Sequence, residues 1–341
     1  MDKRNILSLF LWVWMVGLCT MTVHAQEKEE HWGNSRLYFE RQAESLFPLV
    51  DKALTQCPPS MGDTLVRRLA LYSLDALLHD TINDSGKPLE RFIHSRMANV
   101  IADLNEPLEK GVKVYKIYND GFLMRTPTVT VAFDLVRGSC KGKALIPDSL
   151  ICQIVKRSDV LLVTHKHGDH ADSYVADLFL KEGKPVIGTT DLWERSKEVV
   201  RLRSEEKVLE KSFSLRNGRN VKLTIFPGHQ DELMNNIYVV TSPEGYSVAH
   251  TGDQYNESDM EWISGVKERI ADLDALIVNC WINRIDEVVN GFSPRIVITA
   301  HENEMGHTID HREPFWLTFQ KVAHLKTKCS IMGWGEWLQL K

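Results

Sequence analysis

The chain has 341 residues, of which 43% are hydrophobic and 26% are charged, and its formal net charge is −5 at pH 7. This composition is typical of a globular protein and excludes a disordered chain, a collagen and a protein that crosses a membrane many times. Because acidic residues outnumber basic ones and no long basic block occurs, we expect no nucleic-acid partner.

The N-terminal segment has the pattern of a secretory signal peptide. Lys3 and Arg4 precede an apolar run from Ile6 to Val23, and Ala25 is followed by a polar stretch. The pattern predicts cleavage after Ala25, export to the periplasm or the medium, and no stable membrane span in the mature chain. An uncleaved membrane anchor is the alternative, because the apolar run approaches the length of a short span.

The five cysteines after residue 25 show no C-x-x-C spacing. This excludes a structural zinc knuckle and gives no indication of a cysteine nucleophile. Cys140 and Cys152 are candidates for a disulfide in an oxidising compartment, and buried thiols in strands are the alternative.

Residues 26–110 are predicted to form a helical extension. Apolar residues recur at spacings of three and four along 36–56, 63–79 and 89–104, which predicts three helices. No cluster of titratable residues stands out in this segment. We therefore expect a packing role or an oligomer contact in preference to a cap over a substrate site.

The pattern changes at Gly111, so residues 111–341 are predicted to form a second domain. Three strands are predicted first, at 112–118, 122–125 and 128–135, with a turn at 119–121. Further strands are predicted at 160–164, 185–188, 213–215, 221–226, 236–241, 246–250, 275–279, 295–299 and 329–332, and helices at 173–181, 191–201, 259–271 and 314–326. Hairpins followed by strand–helix alternation favour a mixed α/β sandwich over a doubly wound parallel sheet.

A dense cluster of metal-binding side chains follows the apolar strand that ends at Thr164. His165, His167, Asp169 and His170 lie within six residues. Imidazoles and carboxylates are common metal ligands, so a strand end that delivers all four into one loop predicts a metal site. One loop cannot complete two metal shells, and His229, Asp253 and His301 each follow a later predicted strand.

This motif, with its downstream His, Gly-Asp and His, resembles the metallo-β-lactamase superfamily over residues 111–341. The resemblance implies an α/β fold, a four-layer αβ/βα sandwich, preceded here by the helical extension. It also implies two divalent metal ions. The ligands it implies are His165, His167 and His229 for the first ion, Asp169, His170 and His301 for the second, and Asp253 as a bridge between them.

Other residues near these ligands have more than one interpretation. Asp134 matches a position that orients a ligand imidazole, and a turn-capping aspartate is the alternative. His250 is expected to support a ligand rather than to bind metal. His307 is a candidate for contact with substrate, whereas His311 is expected at the surface. Four tryptophans are either pocket or core residues: Trp281, Trp316, Trp334 and Trp337.

The resemblance implies a hydrolase. Two metal ions would present a bridging hydroxide at neutral pH, and Asp169 and Asp253 are the expected catalytic carboxylates. Zinc suits the imidazole-rich ligand set, with manganese and iron as alternatives. His167 and Asp253 favour the branch that cleaves an ester, a lactone or a phosphodiester of a small molecule or lipid.

The closing strand with Gly335 and Glu336 makes the pattern most similar to the L-ascorbate 6-phosphate lactonase-like group. A weaker likeness is to N-acylphosphatidylethanolamine-hydrolysing phospholipases D. A β-lactam hydrolase is the alternative among enzymes. A catalytically silent metal- or ligand-binding protein on the same fold is the alternative outside them.

Overall fold

The computed structural model describes residues 31–81, 86–203, 208–270 and 272–341. The predicted signal peptide and its cleavage site lie outside these residues. The chain divides into two compact units, Met1–Gln42 and Ala43–Lys341. In the first unit, the rings of His31 and Tyr38 meet edge to face at 5.6 Å. The sheets and the candidate site belong to the second unit.

The described residues contain eight α-helices. They are α1 Ser35–Gln56, α2 Leu65–Leu78, α3 Lys87–Asn105, α4 Asp148–Arg157, α5 Ser173–Lys181, α6 Met260–Ile263, α7 Ile285–Phe292 and α8 Phe315–Val322. The three helices predicted before residue 110 are confirmed. Within the described ranges, none of the helices combines the length and apolar character needed to cross a bilayer.

Sixteen strands occur in the described residues. They are β1 Val112–Tyr118, β2 Gly121–Arg125, β3 Thr130–Phe133, β4 Ser139–Cys140, β5 Lys143–Ala144, β6 Val160–Leu162, β7 Val186–Gly188, β8 Val200–Arg201, β9 Leu209–Ser214, β10 Asn220–Gln230, β11 Leu233–Thr241, β12 Ser247–His250, β13 Ala275–Asn279, β14 Ile296–Ala300, β15 Cys329–Ser330 and β16 Glu336–Leu340. The short pair β4 and β5 stands apart from two large sheets.

The two large sheets have seven strands each and the same plan. The first has the order β16-β1-β2-β3-β6-β7-β8, and the second β15-β14-β13-β12-β11-β10-β9. In each sheet one half is antiparallel and the other half is parallel, with β3, β6 and β7 parallel in the first and β12, β13 and β14 parallel in the second. The sheet is therefore mixed, as the hairpins and the later strand–helix alternation predicted.

Apart from the largely exposed edge strand β9, most strands of the two large sheets are buried on both faces, which gives four layers. Val114 and Phe122 of the first sheet pack against Ile277 of the second in the core between the sheets. The next residue on β1, Tyr115, points to the opposite face and shares a second core with residues 43–56 of α1 and with helices α2 to α5. Helices α6 and α7 cover the outer face of the second sheet. This is the predicted αβ/βα sandwich, and central strands such as β13 and β14 are buried on both sides because helices cover the outer faces.

One predicted helix, over residues 191–201, is wrong. These residues form turns that lead into β8. The guanidinium of Arg201 donates to the carbonyl of Leu192 at 2.9 Å and to that of Ser196 at 2.8 Å. Because these carbonyls bind a side chain, the segment satisfies its backbone groups without helical hydrogen bonds.

The helix predicted over residues 259–271 is also wrong in extent. The structure has short 3-10 turns at Glu257–Asp259 and Val266–Glu268, with the four-residue α6 between them. Gly265 interrupts the helix, and the Ser264 hydroxyl donates to the Glu261 carbonyl at 2.7 Å. Helices α4 and α7 were not predicted.

No disulfide joins the cysteines in the described part of the chain. Cys140 is buried and Cys152 is partly buried. The structure therefore favours thiols over a bridge between these two residues.

Candidate metal centre

Loops that follow strands from both large sheets bring the candidate ligands together. The loop after β6 carries His165, Asp169 and His170, the loop after β12 carries Asp253, and His301 follows β14 directly. The strands are fixed in the core by their apolar residues, so the first polar residue beyond each strand has a defined position. All of these ligand candidates except Asp169, which is partly exposed, are buried.

One group consists of His165, His167 and Asp253, whose ligand atoms all lie within 4.8 Å of one another. Asp253 Oδ2 is 3.8 Å from His165 Nε2. The ring of the exposed His167 meets the ring of His165 edge to face at 4.8 Å. This group places two imidazoles and one carboxylate around a common point.

A second group consists of Asp169, His170 and His301. Asp169 Oδ2 is 3.2 Å from His301 Nε2 and 3.5 Å from His170 Nε2. Asp253 also reaches this group, with Oδ2 at 3.4 Å from His170 Nε2 and Oδ1 at 3.6 Å from His301 Nε2. Asp253 therefore lies between the two groups and contacts both.

The converging atoms fit a metal ion. Four buried side-chain atoms among them have no hydrogen-bond partner: His165 Nε2, His170 Nε2, His301 Nε2 and Asp253 Oδ1. Burial of polar atoms without hydrogen-bond partners costs free energy, so we expect these atoms to bind an ion. Ligand atoms on a tetrahedral zinc ion, with bonds of about 2.0–2.2 Å, lie about 3.4 Å apart. The candidate ligand atoms lie 3.2 to 3.8 Å apart, which is close to that value.

The electrostatics of the site also fit a cation. Burial, reinforced by His170, lowers the pKa of His165 to about 3, so this imidazole is neutral and able to bind metal. Burial alone would lower the pKa of His301, but Asp253 and Asp169 raise it to about 10. Asp253 and Asp169 likewise raise the pKa of His170 against the effect of burial. Without a metal ion, protons on His170 and His301 therefore supply the positive charge that offsets these carboxylates.

Asp134 fixes the orientation of His170. It follows β3, is fully buried, and its Oδ2 lies 2.8 Å from His170 Nδ1. Its Oδ1 accepts from the Thr164 N–H at 2.7 Å. With Nδ1 engaged, His170 presents Nε2 to the site, which is the arrangement found for metal-ligating imidazoles.

His250 has both ring nitrogens engaged away from the ligands. The Gly252 N–H donates to Nδ1 at 3.0 Å, and Nε2 lies 3.0 Å from the Asp120 carbonyl. The ring stacks on Phe133 with a centroid distance of 5.2 Å. His250 therefore braces the loop that carries Asp253.

Gly252 is required by that loop. It has a φ of +53°, and a Cβ there would lie 2.4 Å from Asn235 Oδ1 and 2.6 Å from Thr164 Cβ. The same Asn235 Oδ1 accepts from the Asp253 N–H at 3.1 Å. Gly252 therefore lets the backbone lie close to Asn235 and Thr164, and the Asn235 bond fixes the position of Asp253.

His229 belongs to neither of the two groups. Its Nδ1 lies 3.0 Å from Asp259 Oδ2, and its Nε2 lies 2.8 Å from the guanidinium of Arg203. The structure therefore brings together six of the seven predicted ligands, and for His229 the role of ligand stays a prediction. Its neighbour Gln230 does reach the site, donating to Asp253 Oδ2 at 3.2 Å.

His307 and Trp281 lie at the edge of the site. The half-exposed His307 ring stacks on that of His301 at 5.7 Å, and its Nε2 is 3.9 Å from Asp169 Oδ2. The Trp281 ring meets His301 edge to face at 6.0 Å. Of the other predicted tryptophans, Trp334 is buried in the core and Trp316 is exposed.

The sequence analysis missed two carboxyl groups at the site. Asp120, predicted only as a turn residue, is fully buried, with Oδ2 at 3.4 Å from His170 Nδ1. Glu304 is buried three residues beyond His301, where burial and the nearby Asp169 raise its pKa to about 7. A signal for Asp120 was available in the sequence. It follows β1 together with Asn119, beside the ends of the ligand-bearing strands.

No protein-family model and no curated protein matches this sequence. Among solved structures, the chain is similar to a "possible metal-dependent hydrolase" from Veillonella parvula, with 16% identity and a TM-score of 0.50 over 67% of this chain and 100% of that chain. Igni18, a metallo hydrolase from Ignicoccus hospitalis, shares 17% identity at a TM-score of 0.47, covering 68% and 99%. The metallo-β-lactamase fold protein YhfI from Bacillus subtilis shares 13% at 0.46, covering 68% and 100%.

At 16% identity, the likeness to the Veillonella parvula structure concerns the fold. It agrees with the observed architecture, in which two mixed seven-stranded sheets pack face to face between helices and carry metal-type ligands at strand ends. This chain has the metallo-β-lactamase fold.

Proposed function

We propose that the protein is an exported, binuclear metal-dependent hydrolase that cleaves an ester, a lactone or a phosphodiester of a small molecule or lipid. The main support is the pair of ligand groups that share Asp253. Several buried nitrogen and oxygen atoms of these groups have no hydrogen-bond partner. Export depends on the sequence of the N-terminal segment alone.

The charge of the site supports two divalent ions. Four carboxyl groups gather around the imidazoles: Asp120, Asp134, Asp169 and Asp253. Neutral imidazoles do not offset these charges in a site that is largely closed to water. Two divalent cations would supply the positive charge that offsets these carboxyl groups. Zinc is the favoured ion because imidazole nitrogen predominates among the ligand candidates.

Divalent ions, when bound, supply Lewis acidity and make water a nucleophile at neutral pH. The protein's own groups orient the reactants around them. Asp134 holds His170, and Gln230 and the Asn235 amide hold Asp253. His307 lies at the edge of the site and is half-exposed, so it is placed to contact a substrate entering from outside.

Activity of the metal-loaded protein on a panel of nitrophenyl esters, lactones, a bis-nitrophenyl phosphodiester and a chromogenic cephalosporin tests the proposal. We expect turnover of at least one ester, lactone or phosphodiester, and its loss by at least about 100-fold in Asp253→Asn. The exposed carboxylate Asp177 on α5 offers a matched control, Asp177→Asn, which should keep full activity.

Two outcomes would contradict this function. Preferential cleavage of the cephalosporin would indicate a β-lactam hydrolase. Metal-loaded protein without turnover on any member of the panel would indicate a binding protein that keeps the fold.

A further inference from the structure

Helix α2, which precedes the sandwich in the chain, contacts the loop that begins with His301. We call residues 301–314 the ligand loop. Asp75 of α2 is buried, and its Oδ1 accepts from Asn303 Nδ2 at 2.9 Å and from the Phe315 N–H at 2.8 Å. Its Oδ2 accepts from the Trp316 N–H at 3.0 Å. One carboxylate therefore binds the loop near its start and the first turn of α8 beyond its end.

The end of α2 makes a second set of contacts with the ligand loop through Arg312. The Arg312 guanidinium donates to the Leu78 carbonyl at 2.8 Å, to the Met305 carbonyl at 3.1 Å and to the His307 carbonyl at 3.0 Å. In addition, His79 Nε2 lies 3.0 Å from the Arg312 carbonyl. Arg312 therefore links different parts of the ligand loop to one another and links the loop to the end of α2.

The ligand loop needs these contacts because its backbone is strained at the start. His301 has a φ of +69° and Asn303 a φ of +59°, and neither residue is glycine. Such conformations cost energy and persist when surrounding structure holds them. Between them, the fully buried Glu302 is paired with Lys116 of β1. The conformation at His301 is the one that directs its imidazole to Asp169 and Asp253.

We infer that Asp75 is a positioning residue of the metal centre. It binds Asn303 and thereby holds the strained turn that aims His301, so the helical extension forms part of the scaffold of the site. The inference rests on the proposed function in one respect, since it takes His301 as a metal ligand. The clamp itself, Asp75 with Asn303 and Phe315, requires no metal.

The test compares Asp75→Ala and Asp75→Asn with a control in the same helical extension, Asp51→Ala. Asp51 accepts from Arg96 at 2.9 Å and from Ser95 at 3.0 Å, so these side-chain bonds stay within the helical extension and do not involve residues 301–314. Two readouts are measured on the full chain: zinc and cobalt affinity against a competing chelator, and hydrogen exchange of residues 301–314 after metal removal.

We expect Asp75→Ala to weaken binding of one of the two metal ions by about tenfold, as for other groups that orient a ligand. It should also raise exchange in residues 301–314 and alter the visible spectrum of bound cobalt. Asp75→Asn, which retains one acceptor oxygen, should recover part of the affinity. Asp51→Ala should match the wild type in both readouts.

Unchanged metal affinity in Asp75→Ala, or an equal loss in Asp51→Ala, would overturn the inference. So would faster exchange in residues 301–314 without any change in metal binding, because the contact would then serve stability alone. Wild-type protein that binds no metal would instead contradict the proposed function, and the exchange measurement would still show whether Asp75 holds the loop.

Discussion

At the scale of single residues, the orientation of each imidazole depends on what its second nitrogen contacts. His170 and His250 illustrate two outcomes. Asp134 engages Nδ1 of His170 and leaves Nε2 for the site, whereas the backbone engages both nitrogens of His250. The two histidines are equally buried, so burial alone does not separate a ligand candidate from a supporting residue.

Asp134→Ala should weaken metal binding by about 10- to 100-fold, because His170 loses the acceptor that fixes its tautomer and direction. Calorimetric titration of the metal-depleted variant with zinc checks this expectation. Asp177→Asn is the control for a change of charge. Equal affinities for Asp134→Ala and the wild type would show that Asp134 is only a turn residue.

The sequence predicted the ligand candidates that lie close together in a motif or directly after a strand. His165, His167, Asp169 and His170 share one loop, so local spacing suffices to bring them together. Asp75 and Glu304 could not be identified in this way, because their burial and partners come from distant segments. The same reason applies to the contacts of His229 with Arg203 and Asp259.

At the scale of elements, Glu336 at the start of β16 joins the closing strand to two helices. Both its oxygens accept from the Arg67 guanidinium, at 2.7 and 2.6 Å, and the Gly333 N–H donates to Oε2 at 2.6 Å. Arg96 of α3 lies 3.7 Å away and donates to the Trp334 carbonyl at 2.9 Å. Gly335 and Glu336 contributed to the family resemblance of the sequence. Glu336 has a structural role in this protein.

Glu336→Ala should destabilise the protein by about 3–5 kcal/mol, because it leaves Arg67 buried without its counter-charge. Urea unfolding followed by circular dichroism measures the difference. The exposed pair of Lys222 and Glu210 provides a control, and Glu210→Ala should leave the unfolding midpoint unchanged. A midpoint for Glu336→Ala equal to that of the control would refute the structural role.

Sequence periodicity predicted the elements that pack along a continuous apolar face and failed where side chains replace backbone hydrogen bonds. The helices before residue 110 have regular apolar spacing and were found with nearly correct ends. Residues 191–201 lack a helix because the distant end of the same segment, Arg201, binds the carbonyls of Leu192 and Ser196. That competition is not visible in the spacing of apolar residues.

At the scale of the whole molecule, the helices before Gly111 share a hydrophobic core with the first sheet. Leu71 of α2 and Met97 of α3 are buried with Tyr115 of β1 and Trp334. The buried bond between Arg67 and Glu336 and the contact between Asp75 and Asn303 join the same two parts. The sheets and these helices therefore depend on each other for burial of apolar surface.

A chain that begins at Gly111 should consequently fail to fold cooperatively. Deletion exposes the outer face of the first sheet and leaves Glu336 buried without Arg67. Soluble yield and thermal unfolding by circular dichroism test this prediction. A truncated chain that unfolds cooperatively at the wild-type temperature would show that the extension is a separable appendage.

We propose that the two strand-end groups hold two metal ions through a shared Asp253. The most direct measurement is the metal content of the purified protein by plasma mass spectrometry, beside the double variant His167→Ala, Asp253→Ala. We expect about two divalent ions per chain in the wild type and in Asp177→Asn, and their loss in the double variant. Wild-type protein that stays without metal after incubation with zinc, manganese and iron would contradict it.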